Sequence, residues 1–273
     1  MLVDDVCRAV RSFMARLSEG ARRLFLRSIA EMEKHEDVAA LYHYATMIEK
    51  DAYMDSPSVS WPGFFKQYYC SNRVELPEPL WHSGVDTLSA IRLRKSRRSY
   101  SPKPLGLLEI STILHHAVGI RGWDGDWPLR VYPSAGGLQP VEAYLVAERV
   151  EGLEPGLYHY IPLTHSLCLL RSGSYMDILS AIALGQEHIV EAPAALLITA
   201  VYARTASKYG ARSYRYIHLD AGTVVQNVYL VAEALKLATV VVGAFYDEEL
   251  CGLLSIDCYI EIPIVIMPIG KRL

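Results

Sequence analysis

A chain of 273 residues is long for one small domain and suits one large domain or two modest ones. With 51% apolar and 21% charged residues it can bury a sizeable core. A formal net charge of -3 excludes nucleic-acid binding driven by bulk positive charge. No apolar run approaches the ~18–20 residues of a membrane span, and the first residues lack a signal-peptide pattern. A soluble, cytoplasmic protein that binds neither nucleic acid nor membrane is the expectation. The five cysteines are scattered without a C-x-x-C pair, so neither a metal site nor a disulfide framework is expected. Asn and Gln together number six, a depletion that fits a thermophile.

Three short helices are predicted first, over Asp4–Leu17, Glu19–Lys34 and Glu36–Lys50. Their cations, Arg8, Arg11, Arg16, Arg22, Arg23 and Arg27, could meet an anionic partner or form a solvated face balanced by acids at 31–37. From Asp51 to Pro79 the chain becomes irregular and aromatic, and Pro and Gly break its periodicity, which predicts a packed connector. Residues 1–83 therefore read as an N-terminal helical region with its connector, and 84–273 as the main domain.

Beyond residue 84 helices and strands alternate. Helices are expected over Asp86–Arg94, Leu107–Val118, Tyr175–Leu184 and Asp247–Leu254. Strands are expected over Val141–Arg149, Gly156–Ile161, Ser166–Arg171, Ala194–Tyr202, Thr239–Tyr246 and Ile260–Ile269. Between Ser213 and Lys236, apolar residues at three- and four-residue spacing predict one long helix of about 36 Å. Hairpins mixed with helices indicate an α+β layered fold.

Several segments could carry chemistry. Arg94-Lys95-Ser96-Arg97-Arg98 combines guanidinium donors with a hydroxyl, which suits a phosphate, although a solvated basic patch has the same composition. Pro133-Ser134-Ala135-Gly136-Gly137-Leu138-Gln139-Pro140 precedes a strand. Its small residues let backbone approach a flat ligand, and Ser134 and Gln139 could bond polar ring edges; an ordinary tight turn is the alternative. Val242-Gly243-Ala244-Phe245 could present backbone N–H groups, and Lys271-Arg272 places two cations near the C-terminus, where a frayed tail is the alternative. Lys208-Tyr209, after a strand, could remove a proton or lie on a surface loop. The nine histidines show no ligand spacing, and no metal site is expected. The Walker, G-x-G-x-x-G and G-x-S-x-G patterns do not occur.

Taken together and in order, R-K-S-R-R, P-S-A-G-G-L-Q-P, K-Y-G-A-R-S-Y-R, H-L-D-A-G-T-V-V-Q-N, V-V-G-A-F and P-I-G resemble the flavin-binding nitroreductase superfamily. Within it the chain is most similar to the SagB-type dehydrogenases, the azoline oxidases. The resemblance implies a nitroreductase-like fold, a central and mostly antiparallel sheet flanked by helices, with FMN shared across a homodimer. It implies that Arg94, Lys95, Ser96 and Arg98 hold the phosphate and ribityl chain, and that Lys271 and Arg272 complete the phosphate site. It also implies that the partner subunit's loop, Pro133 to Gly137, lies against the flavin. Gly243 and Ala244 match the turn facing the reactive ring edge, and Lys208 and Tyr209 the pair used for proton removal. Lys95 stands where Arg is common, and Asp220 and Thr223 where SagB-type chains often carry Glu and His.

Three functions follow. The leading expectation is an FMN-dependent oxidoreductase removing hydride and proton from a peptide-derived or heterocyclic, azoline-like small molecule. The others are an NAD(P)H-dependent nitro or quinone reductase, with NAD(P)H as electron donor, and a non-catalytic flavin- or peptide-binding module.

Overall fold

The structure, a computed structural model, describes residues 39, 42, 43, 46, 47 and 59–273. The predicted helices Asp4–Leu17 and Glu19–Lys34 and their arginines lie outside the described residues. Of Glu36–Lys50, residues 39, 42 and 43 are described and helical. The chain divides into two compact units, residues 60–205 with 214–273, and residues 1–59 with 206–213.

The larger unit is built on a seven-stranded sheet. Its strands are β1 (Arg73–Glu75), β5 (Val141–Ala147), β7 (Gly156–Ile161), β8 (Ser166–Ser172), β9 (Ala194–Val201), β10 (Leu237–Thr239) and β11 (Glu261–Lys271). They lie in the order β1-β8-β7-β5-β9-β11-β10, and every neighbouring pair is antiparallel. Two short pairs stand apart: β2 (Leu105–Gly106) with β6 (Val150–Glu151), and the hairpin of β3 (Ile120–Asp124) with β4 (Trp127–Arg130).

Alternation along a strand sends successive side chains to opposite faces. In β5, Val141, Ala143 and Leu145 join one apolar cluster, while Tyr144 and Val146 join another. The first cluster takes Ile110, Ile113, Leu114 and Ala117 from the helix Leu107–Val118. It also takes Ala221, Val224, Val228 and Ala232 from the helix Ser213–Ala234. The second takes Met176, Leu179 and Ile182 from the helix Met176–Ile182, and Leu250, Leu253 and Leu254 from the helix Asp247–Leu254. Helices thus cover both faces, and the central strands are buried throughout.

Three expectations need correction. Thr239–Tyr246 is not one strand: regular pairing ends at Thr239, and beyond it Val242 makes an isolated bridge to Ile266. Lys208 and Tyr209 do not lie on a loop, because a helix, Tyr202–Tyr209, starts directly after β9. Two disulfides are present where spacing indicated none. Cys70–Cys168 ties the aromatic connector to β8, and Cys251–Cys258 closes the turn after the helix Asp247–Leu254. The first pair is separated by 98 residues, a distance that the pairing of β1 with β8 removes.

Candidate functional site

The helix Thr87–Leu93 is capped by Asp86, whose side chain accepts from the Ser89 N–H at 3.0 Å, and it ends at Arg94. The chain then runs beside the sheet: Arg97 N–H donates to the Thr239 carbonyl at 2.9 Å, and Ser101 N–H to that of Lys271 at 2.8 Å. Tyr229 of the helix Ser213–Ala234 organises this stretch. Its ring lies under the Arg94 guanidinium at 4.9 Å, and its hydroxyl is 2.9 Å from Ser96 Oγ. The same hydroxyl accepts from the Val241 N–H at 2.9 Å, which places Arg94 and Ser96 beside the Val242-Gly243-Ala244 turn. Gly243 and Ala244 are exposed, and the Ala244 carbonyl accepts from Gln186 Nε2 at 3.3 Å.

The cations divide into two groups. Arg97 and Arg272 converge on the buried Glu233 carboxylate at 2.9 and 2.7 Å, and Lys271 faces Glu109 at 3.7 Å. Burial would raise the Glu233 pKa, but hydrogen bonds from Arg272 and Arg97 overcome this and lower it. Among the described residues, Arg94, Lys95 and Arg98 have no carboxylate within 4 Å. Three uncompensated cations within five residues, beside a hydroxyl, fit a phosphate dianion. Of the two terminal cations, Arg272 stands by this segment through Glu233, whereas Lys271 is directed to the start of the helix Leu107–Val118.

The loop at 133–140 has a different anchor. Ser134 Oγ donates to Asp220 Oδ2 at 2.6 Å and accepts from the Gln139 N–H at 2.8 Å, and Ala135 N–H reaches Asp220 Oδ1 at 3.2 Å. Gln139 Nε2 donates to the Pro128 carbonyl, and Trp127 Nε1 to that of Gly137 at 3.1 Å. Ser134 and Gln139 are thus committed inside the protein rather than offered to a ring edge. What the loop exposes is its apex, Pro133 and Gly136. At Gly137, with φ +68°, a Cβ would meet Trp127 Nε1 at 3.0 Å, so backbone and indole pack closely there. Asp220 and Tyr229 share a helix nine residues apart, about 13 Å along its axis. Within one chain the loop and the Arg94 segment therefore have separate anchors.

Lys208 and Tyr209 belong to the unit of residues 1–59 and 206–213. There Lys208 Nζ lies 5.4 Å from the Tyr209 ring centroid, at the end of the helix Tyr202–Tyr209.

Sequence reasoning missed a polar network on the sheet. Lys66 Nζ donates to Glu261 Oε2 at 2.6 Å and to the Tyr144 hydroxyl at 2.7 Å. Glu261 also accepts from Tyr144 and Thr199, and Glu142 is held by His159 and Arg204 at 2.8 and 2.6 Å. Burial would raise the Glu142 pKa, but Arg204 and His159 bring it down to about 2. Lys66, Arg204 and Glu261 line a cleft of about 500 Å³, with Phe65, Val201 and Ile260 among its apolar walls. Alternation in β5, β9 and β11 places Glu142, Thr199 and Glu261 in strands; the signal available was a charge inside each of two apolar strands.

The nitroreductase family pattern matches residues 91–271. A relative in Methanocaldococcus jannaschii, named as a nitroreductase, is 42% identical over 180 residues, covering 66% of this chain and 88% of the relative. The microcin B17-processing protein McbC of Escherichia coli is 27% identical over 146 residues, covering 52% and 54% of the two chains. A crystal structure of an Anabaena variabilis protein named as a nitroreductase superposes with a TM-score of 0.69 at 26% identity, over 86% of this chain and 47% of that one. The chain thus spans about half the length of McbC and of the Anabaena protein. Among the described residues no helix is long and apolar enough to cross a membrane. With its antiparallel sheet between helices and a family match reaching from the helix before Arg94 to Lys271, the chain belongs to the nitroreductase family of oxidoreductases.

Proposed function

We propose that this chain is an FMN-dependent oxidoreductase that removes a hydride and a proton from a peptide-derived heterocycle of the azoline type. The observation that carries the cofactor assignment is the group of cations Arg94, Lys95 and Arg98, without a carboxylate partner among the described residues, in a segment that Tyr229 joins through Arg94 and Ser96 to the Gly243-Ala244 turn. Arg94, Lys95, Ser96 and Arg98 hold the phosphate and ribityl chain, and Arg272 adds positive potential while keeping Glu233 neutralised. The exposed backbone at Gly243 and Ala244 would face the ring, since both residues are small and open to solvent. The Pro133–Gly137 loop of a second copy covers the other side, so the working form is a homodimer. FMN, when bound, supplies a two-electron acceptor.

Similarity to McbC, a microcin-processing protein, favours a peptide-derived substrate over a small nitro compound. Conversion of an azoline to an azole removes two electrons and two hydrogens, one as hydride and one as proton. Lys208 and Tyr209 take that proton and pass it to solvent.

The test is reconstitution followed by anaerobic single turnover. The protein should take up one FMN per chain, and a synthetic azoline peptide should bleach the bound flavin and yield the azole. Rapid bleaching by NADPH with none by the azoline would move the assignment to a nitro or quinone reductase. Bound FMN that neither reagent bleaches would move it to a binding module.

A further inference from the structure

Asp220 is 5% exposed, and among the described residues no Lys, Arg or His nitrogen lies within 4 Å of its carboxylate. Its partners are neutral dipoles from the 133–140 loop, the Ser134 hydroxyl at 2.6 Å and the Ala135 N–H at 3.2 Å. The Ser134 oxygen passes the constraint on by accepting from the Gln139 N–H at 2.8 Å, while Gly137 N–H bonds the Ser134 carbonyl at 3.0 Å. The loop's other end is gripped by a cation. Arg204, 2% exposed, donates to the Gln139 carbonyl at 3.1 Å. Between these grips the chain takes up positive φ at Gly136, Gly137 and Gln139, a conformation that costs energy at a non-glycine residue unless its surroundings hold it.

A buried carboxylate without a counterion is costly, whereas a neutral amide of the same size could accept from Ala135 without the cost of burying a charge. The geometry therefore asks more of Asp220 than shape. We propose that Asp220 is the positioning residue of the Ser134–Gly137 loop, and that it places a fixed negative charge behind the face this loop turns to the flavin. The inference rests on the FMN assignment above. A fixed anion there opposes the gain of negative charge that accompanies reduction, and so holds the flavin's midpoint potential down. Burial raises the Asp220 pKa, and the hydrogen bonds from Ser134 and Ala135 oppose that rise by favouring the charged form.

The test compares wild type, Asp220→Asn, Asp220→Glu and Ser134→Ala, each reconstituted with FMN. Affinity is read from flavin fluorescence quenching, and the midpoint potential from equilibration with a reference dye. Asp220→Asn keeps the size and one acceptor oxygen for the Ala135 N–H but removes the charge. It should raise the reduced-to-oxidised ratio about tenfold at fixed potential, equal to about 30 mV for a two-electron couple. Asp220→Glu should return the potential to the wild-type value. Ser134→Ala keeps the charge but loosens the anchor, so it should weaken FMN about fivefold to tenfold and leave the potential unchanged. A wild-type potential in Asp220→Asn overturns the electrostatic role, and wild-type affinity in Ser134→Ala overturns the positioning role. If Asp220→Asn does not fold, Asp220→Glu and Ser134→Ala decide alone: a shifted potential in the first or wild-type affinity in the second refutes the proposal. A wild-type protein that takes up no FMN refutes the functional assignment itself, and this inference with it.

Discussion

Replacing Arg94 by alanine should weaken FMN binding about tenfold to a hundredfold, whereas Arg97→Ala should change it by no more than about threefold. The two arginines are three residues apart and chemically identical, so the contrast isolates what each guanidinium faces. Arg94 lies over Tyr229 and has no carboxylate within 4 Å among the described residues. A charge-assisted hydrogen bond from it to a phosphate contributes roughly 1.5–3 kcal/mol, and each ~1.4 kcal/mol is a factor of ten in affinity. Arg97 is committed to Glu233 at 2.9 Å, and Glu233 keeps Arg272 at 2.7 Å when Arg97 is removed. Its loss therefore orphans no charge and should cost about 1 kcal/mol of stability, a fall of about 2–4 °C in melting temperature for a chain of this size. Fluorescence quenching on titration of each apoprotein with FMN, together with thermal melts, measures both quantities. Equal affinity losses at the two positions would refute the division of cations into phosphate-binding and structural groups.

Glu142→Gln removes the carboxylate that Arg204 and His159 hold in the interior, and removing one partner of a buried pair costs roughly 3–5 kcal/mol; thermal denaturation should show it, and a loss under about 1 kcal/mol would contradict the pairing. Because Arg204 and His159 hold the folded Glu142 pKa at about 2, below its unfolded value, this carboxylate stabilises the fold above the usual carboxylate range. That contribution is lost as pH falls toward about 2, so melting temperatures measured between about pH 6 and 2 should fall more steeply in wild type than in Glu142→Gln. Alkylation in denaturant without reductant should spare Cys70, Cys168, Cys251 and Cys258, and labelling of all five cysteines would contradict both disulfides. Lys208→Ala should slow azoline-driven flavin bleaching by about 10²–10⁴ and leave FMN affinity and dithionite reduction unchanged; a rate within a few-fold of wild type would remove the base assignment.

The parts legible in the sequence are those set by short-range periodicity. Three- and four-residue spacing of Ile110, Ile113, Leu114 and Ala117 places one face of the helix Leu107–Val118 against the sheet, and its predicted ends match the observed ones. The strand from Gly156, the strand β9 and the long helix from Ser213 were readable for the same reason, since each depends on neighbours within a turn or a pleat. The order of motifs also carried the family, because the match from 91 to 271 rests on residue types at fixed intervals. What tertiary structure alone decided is which polar groups are already spent. Arg272 looks as available for phosphate as Arg94 until Glu233 is brought between it and Arg97, 136 residues beyond Arg97. Ser134 looks like a ligand donor until the long helix sets Asp220 against it, 86 residues away. Cys70 meets Cys168, and Lys66 meets Glu261, only because strands distant in sequence are adjacent in the sheet. Local sequence records what each side chain can donate or accept; a bond across a hundred residues is chosen by the packing that desolvates both ends, and that choice appears only when the chain is folded.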